Sequence, residues 1–263
     1  MPKTRGARTA VPLRSDVRHV GPHRVHAFFA DERDGLPLVF VHGWGVSGRY
    51  LLPAAARVAL HHPVWVPDLP GHGRSSDPAE VLDVRGQADA LLAWLDAVGI
   101  RHAVLVGNSM GGQVASVVAA RRPERVPALV LVGPTVDASA RTLARQAARF
   151  CRAAFAEKAS LVPLLLRDYA RTGPRRLWRE LQFALEDRIE ERLPRVHSPA
   201  MVVRGERDRL VPAAWAAEVA RLLPNGRLVE IPRGGHALQY SLPDPFVAYL
   251  RGFLRDVLPP NGR

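Results

Sequence analysis

HAVLVGNSMGGQVAS, residues 102–116, places a serine between glycines directly after an apolar run. His102-Ala103-Val104-Leu105-Val106 is uncharged after its first residue and rich in β-branched side chains, as in a short buried strand. Gly111 to Ala120 has the small and aliphatic composition of a packed helix, ended by Arg121-Arg122-Pro123. Ser109 falls at the turn between the two. The five residues Gly107-Asn108-Ser109-Met110-Gly111 fit G-x-S-x-G, the strand-to-helix elbow that lifts a nucleophile above a sheet. A side chain at 107 or 111 would crowd so tight a turn, and the serine is expected in a strained backbone conformation.

Outward from the elbow, strand and helix signals alternate. Strands are expected at His23–Ala30, Pro37–His42, Pro63–Leu69, Val126–Val132, Ala200–Arg204 and Arg227–Ile231. Helices are expected at Val84–Val98, Ala213–Leu223 and Phe246–Val257. This order predicts an α/β fold built on a doubly wound, mostly parallel sheet. Residues 136–194 show no strand signal and contain helix formers, with breaks at Pro163 and Thr172-Gly173-Pro174. They are expected to form a helical cap over the carboxyl edge of the sheet, where such folds bind ligands. The expected division is a basic N-terminal tail (1–20), a core (21–135 and 195–263) and the cap (136–194).

The chain has 263 residues, 47% of them hydrophobic, enough for one sizeable core. Its one cysteine, Cys151, rules out an internal disulfide and has no motif around it. The basic start, Met-Pro-Lys-Thr-Arg-Gly-Ala-Arg, is followed by no apolar h-region, and no run approaches a membrane span. The expected location is the cytoplasm. Net charge is +12, yet only Lys3 and Lys158 among the 37 basic residues are lysine. That bias, with abundant alanine and valine, reads as codon usage rather than as a nucleic-acid footprint. No aromatic platform is interleaved with the arginines. Nucleic acid and membrane are therefore not expected as partners, and the oligomeric state cannot be read.

A serine nucleophile needs a base at neutral pH, and the base needs an orienting acid. Both occur after the cap segment. Asp208 lies just past the strand Met201–Arg204, in Gly205-Glu206-Arg207-Asp208, and His236 sits at the tip of the loop Pro232-Arg233-Gly234-Gly235. The order Ser109, Asp208, His236 is one of the known orders of such a triad.

With His42-Gly43-Trp44-Gly45, Asp68-Leu69-Pro70-Gly71-His72-Gly73-Arg74-Ser75, the elbow, Gly205-Glu206-Arg207-Asp208 and Gly235-His236 all in order, the chain resembles the α/β-hydrolase fold superfamily from about residue 20 onward. The resemblance implies Ser109 as nucleophile, His236 as general base and then acid, and Asp208 as the residue that orients His236. It implies an oxyanion hole made by the backbone N–H groups of Met110 and Trp44. His42 and His72 are then structural. Asp137, after the strand Val126–Val132, is a rival acid, since some superfamily members carry the acid there; the Gly-x-x-Asp turn favours Asp208. His61-His62 lacks a partner at ligand spacing, so no metal site is expected, and the chemistry implies no cofactor.

The expected activity is hydrolysis of a carboxylic ester or related small-molecule acyl substrate. The elbow also resembles that of carbon–carbon bond hydrolases acting on ring-cleavage diketones, but Ala237 stands where that subgroup has tryptophan; Gln239 keeps some likeness. A slow-turnover ligand-binding relative is the reading from another class. Residues 141–179 hold ten Lys/Arg against Glu157 and Asp168, a net +8. Arg171, Arg175, Arg176 and Arg179 are the candidates to steer an anionic substrate, against the alternative of a solvated face.

Overall fold

The computed structural model describes residues 9–154 and 157–258. Eight strands form one sheet: β1 (Arg14–Val20), β2 (His23–Ala30), β3 (Leu38–Val41), β4 (Val64–Pro67), β5 (Val104–Asn108), β6 (Leu129–Val132), β7 (Ala200–Gly205) and β8 (Gly226–Ile231). Their spatial order is 1-2-4-3-5-6-7-8. β1 and β2 are antiparallel to each other and β2 to β4, and every other pairing is parallel. This is the doubly wound, mostly parallel sheet expected from the sequence.

β3 through β7 are buried along their whole lengths, which their unbroken apolar runs already require. Successive residues feed two cores. Val39, Val41, Leu105, Leu129, Leu131 and Val202 face one side. Leu38, Phe40, Val104, Val106, Val130 and Val203 face the other. Of the helices, α1 (Leu52–Val58) supplies Ala54, Ala55 and Val58 to the second core, and α2 (Val84–Ala97) supplies Leu91 and Trp94 to the first. α3 (Met110–Arg121) is buried on almost every side at the sheet's centre.

Between β6 and β7 lie α4 (Leu143–Ala154), α5 (Val162–Thr172), α6 (Pro174–Glu186) and α7 (Ile189–Arg192), with no strand among the described residues. After β7, α8 (Ala213–Leu222) joins the first core through Trp215 and Val219. The short α9 (Leu238–Ser241) and α10 (Pro243–Val257) close the second through Leu238, Phe246 and Leu250.

The N-terminal segment departs from the expected tail. Residues 14–20 are a strand, paired with β2 from Arg14↔Phe29 to Val20↔His23. β1 lies at the sheet edge with only Val20 buried, so it carries almost none of the apolar signal that marks the inner strands. No helix is long and apolar enough to cross a membrane among the described residues.

Candidate active site

The parallel strands end on one edge, and the loops after β3, β5, β6, β7 and β8 meet there. Ser109 follows β5 with φ 56° and ψ −125°, in the left-handed region that a residue with a Cβ rarely occupies. Two backbone bonds hold it: its N–H donates to the Val132 carbonyl at 2.9 Å, and its carbonyl accepts from Gly112 N–H at 2.8 Å. The flanking glycines are obligatory by contact. A Cβ on Gly107 would lie 2.4 Å from the Gly111 carbonyl oxygen, and one on Gly111 would lie 2.3 Å from that of Val41. The turn can form only where both side chains are absent.

His236 Nδ1 and Asp208 Oδ2 are 2.8 Å apart. Asp208 is buried, and its other oxygen accepts the N–H groups of Leu210 (2.9 Å) and Val211 (3.0 Å). The contact assigns the imidazole proton to Nδ1, leaving Nε2 as the free base. Nε2 has no hydrogen-bond partner among the described residues. Burial works against ionising either group, yet their mutual attraction wins: the Asp208 carboxyl is held below its usual range and the His236 imidazolium is favoured. Asp137, the rival acid, is engaged elsewhere. Its Oδ1 accepts from Ser139 N–H and Oγ, and its Oδ2 faces Arg149 at 2.7 Å.

The loop after β3 is wired to the elbow. Gly43 N–H donates to the Tyr50 hydroxyl (2.9 Å), which donates to Asn108 Oδ1 (2.6 Å). Asn108 Nδ2 in turn donates to the Val132 carbonyl (2.9 Å) and, at 3.4 Å, to that of His236. Thr135 Oγ1 stands 3.5 Å from Ser109 Oγ. His42 donates from Nδ1 to the Gly43 carbonyl and accepts Leu69 N–H at Nε2, both at 2.9 Å. Burial lowers its pKa to about 4, so it is a neutral brace for the loop.

Trp44 and Met110, the residues singled out for their N–H groups, also line an apolar wall. Met110, Val136 and Ala184 pack together with Trp44 and Leu185 against them. Met110 opens α3, so its N–H has no acceptor within the helix. The Trp44 indole N–H donates to the Leu177 carbonyl of α6 at 2.9 Å, and its ring packs against Phe150 of α4 and Tyr169 of α5. Nearby, Asp168 of α5 accepts the Ser47 N–H (2.8 Å) and hydroxyl (2.6 Å). Helices from the segment after β6 are thus anchored directly on the loop after β3.

Four residues that hold these loops escaped the sequence reading: Tyr50, Asn108, Arg204 and Glu157, whose Oε1 accepts the His236 N–H. Arg204 holds the Asp208 loop, donating from Nε to the Val211 carbonyl (2.8 Å) and from Nη2 to that of Asp208 (3.1 Å), while pairing with Glu230. Its place at the end of a buried strand was the available signal. Of the steering candidates, Arg176 is buried on α6 and paired with Asp77, which removes it from the group; Arg171, Arg175 and Arg179 are exposed, the last lying over the Phe183 ring. His72 Nε2 meets Glu180 of α6 at 3.1 Å, so both residues join the Asp68–Ser75 loop to this helix.

The family model described as the alpha/beta hydrolase family matches residues 38–249. A protein of Pseudomonas savastanoi pv. phaseolicola, provisionally named a carbamate hydrolase, is 29% identical over 259 residues, covering 88% of this chain and 98% of that one. A pimeloyl-[acyl-carrier protein] methyl ester esterase of Chromobacterium violaceum is 30% identical, covering 84% of this chain and 92% of that one. Among solved structures, the N-acyl homoserine lactone degrading enzyme Est816 aligns with TM-score 0.74 at 26% identity, covering 92% of this chain and all of that one. The chain belongs to the alpha/beta hydrolase family.

Proposed function

We propose that the protein hydrolyses a carboxylic ester of an apolar acyl group, with Ser109 as nucleophile, His236 as base and Asp208 as its orienting acid. The observation that carries this reading is the strained Ser109 at the end of a central strand, on the same sheet edge as a histidine whose Nδ1 is hydrogen-bonded to a buried carboxylate. Two of the relatives above are named for acting on acyl compounds, one as a methyl ester esterase and one as degrading an N-acyl homoserine lactone.

In this mechanism Ser109 Oγ attacks the ester carbonyl carbon while His236 Nε2 takes its proton. Asp208 stabilises the resulting imidazolium. The carbonyl oxygen becomes an oxyanion held by the N–H groups of Met110 and Trp44, each worth about 3–4 kcal/mol of transition-state stabilisation. Collapse breaks the bond to the alkoxy oxygen, which His236 protonates, leaving the acyl group on Ser109. Water, deprotonated by the same histidine, then releases the acid. The wall of Met110, Val136, Ala184, Trp44 and Leu185 lies beside the nucleophile and suits an apolar acyl chain.

The test is a fluorophosphonate probe together with a panel of p-nitrophenyl esters and a ring-cleavage diketone. Ser109 should be labelled, Ser109→Ala should not, and esters should turn over faster than the diketone. Labelling that survives Ser109→Ala would refute the nucleophile; faster turnover of the diketone would move the activity to carbon–carbon bond cleavage.

A further inference from the structure

Residues 157–161 cross the catalytic-histidine loop as a strap between α4 and α5. Two contacts hold it there. Glu157 Oε1 accepts the N–H of His236 at 2.5 Å and that of Ala237 at 3.0 Å. The Tyr240 hydroxyl donates toward the Ser160 carbonyl (3.1 Å), with Ser160 Oγ at 3.2 Å. Leu161, at the end of the strap, is buried in the core.

We infer that Glu157 is a second carboxylate serving His236: a positioning residue that holds the histidine loop from the strap and stabilises the imidazolium formed in turnover. The inference rests on the triad reading above and goes beyond it. Its physical basis is an imbalance. Asp208 spends one oxygen on His236 and the other on two backbone N–H groups. Glu157 spends only Oε1, while Oε2 is buried with no partner among the described residues. A carboxylate oxygen buried without a partner is costly unless positive charge develops close by. The imidazolium of His236 supplies that charge at the moment the serine loses its proton. The charged groups acting on His236 are Asp208, from the loop after β7, and Glu157, from the strap; both favour its protonated form against the opposing effect of burial.

The experiment follows His236 itself by NMR titration of the 15N-labelled imidazole in the free protein, alongside pH profiles of kcat/KM on a p-nitrophenyl ester. Glu157→Gln retains an acceptor for the two N–H groups but removes the charge. Glu157→Ala removes both. His236 should titrate at lower pH in each variant, and the acid limb of kcat/KM should move the same way. Glu157→Ala should lower kcat by about tenfold to a hundredfold with KM little changed, and Glu157→Gln should recover part of that loss. Tyr240→Phe loosens the strap with the charge in place and should leave the titration unmoved. A His236 titration unchanged in both Glu157 variants overturns the inference, as does an equal shift in Tyr240→Phe. If Glu157→Ala fails to fold, Glu157→Gln decides alone. Absence of ester turnover in the wild type would count against the ester reading, while the titration still decides the role of Glu157.

Discussion

Gly133 and His236 are packed so closely that a Cβ on the glycine would lie 2.8 Å from imidazole Nδ1 and 2.9 Å from Cε1. The same atom would come within 3.1 Å of Asp208 Oδ2, so it would wedge into the hydrogen bond between the two. Gly133 also has φ 52°, where alanine is strained by roughly 1 kcal/mol. Gly133→Ala should therefore cost about a hundredfold or more in kcat while the protein still folds. Kinetics with circular dichroism checks this; near-normal kcat would mean the pair tolerates the displacement.

Asp208→Asn should keep the fold, misorient His236 and lower kcat by about 10⁴-fold. Asp137→Asn should leave kcat within a few-fold, since that carboxylate serves Ser139 and Arg149. Parallel kinetics on the two variants decide between them, and the reverse ranking would relocate the acid to the loop after β6.

Arg204 bridges two carbonyls of the loop that presents Asp208. Arg204→Met should destabilise the fold by about 1–3 kcal/mol, through carbonyls left without donors, and reduce kcat with little change in KM. Arg204→Lys should do only slightly better, because a single ammonium cannot reproduce the planar fork. Thermal midpoints and steady-state kinetics test this; full rescue by lysine would show that charge alone matters.

The buried His72–Glu180 contact gives a pH signature. Burial disfavours the imidazolium, but the charge and hydrogen bond of Glu180 outweigh it, and the His72 pKa rises above its ordinary 6.5. A folded-state pKa above the unfolded one adds stability that is complete below about 6.5 and lost as pH climbs through the raised value. His72→Gln retains a donor without the charge. Its deficit in thermal midpoint should be largest in mild acid and shrink with rising pH. A constant deficit from about pH 5 to about pH 9 would show that protonation contributes nothing.

The inner sheet was legible because runs such as Leu38-Val39-Phe40-Val41 and Leu129-Val130-Leu131-Val132 admit few other placements. β1 was not, since an edge strand reading Arg-Ser-Asp-Val-Arg-His-Val exposes both faces. α1 was missed because Leu-Pro-Ala-Ala-Ala-Arg-Val is short and its alanines mark no face until packed. In the candidate site, Ser109, Asp208 and His236 announce themselves through local turn chemistry. Tyr50, Arg204 and Glu157 carry no such mark. Glu157 is 79 residues from the loop it holds, and its part appears only once the strap lies across it.

The position of the helical segment between β6 and β7 also has a consequence for synthesis. β6 pairs with β7, and until Ala200 has left the ribosome its four buried residues form an open sheet edge. The intervening stretch of roughly seventy residues takes several seconds to translate at about 5–20 residues per second. During that interval the nascent chain displays Leu129-Val130-Leu131-Val132 unpaired, a sticky edge on an otherwise assembling sheet. The elbow serine is complete by then, yet Asp208 and His236, its proposed acid and base, are still unmade. On the proposed triad the ribosome-bound partial chain lacks the means to activate Ser109, and its open edge favours aggregation, so truncation just before Ala200 should yield insoluble protein.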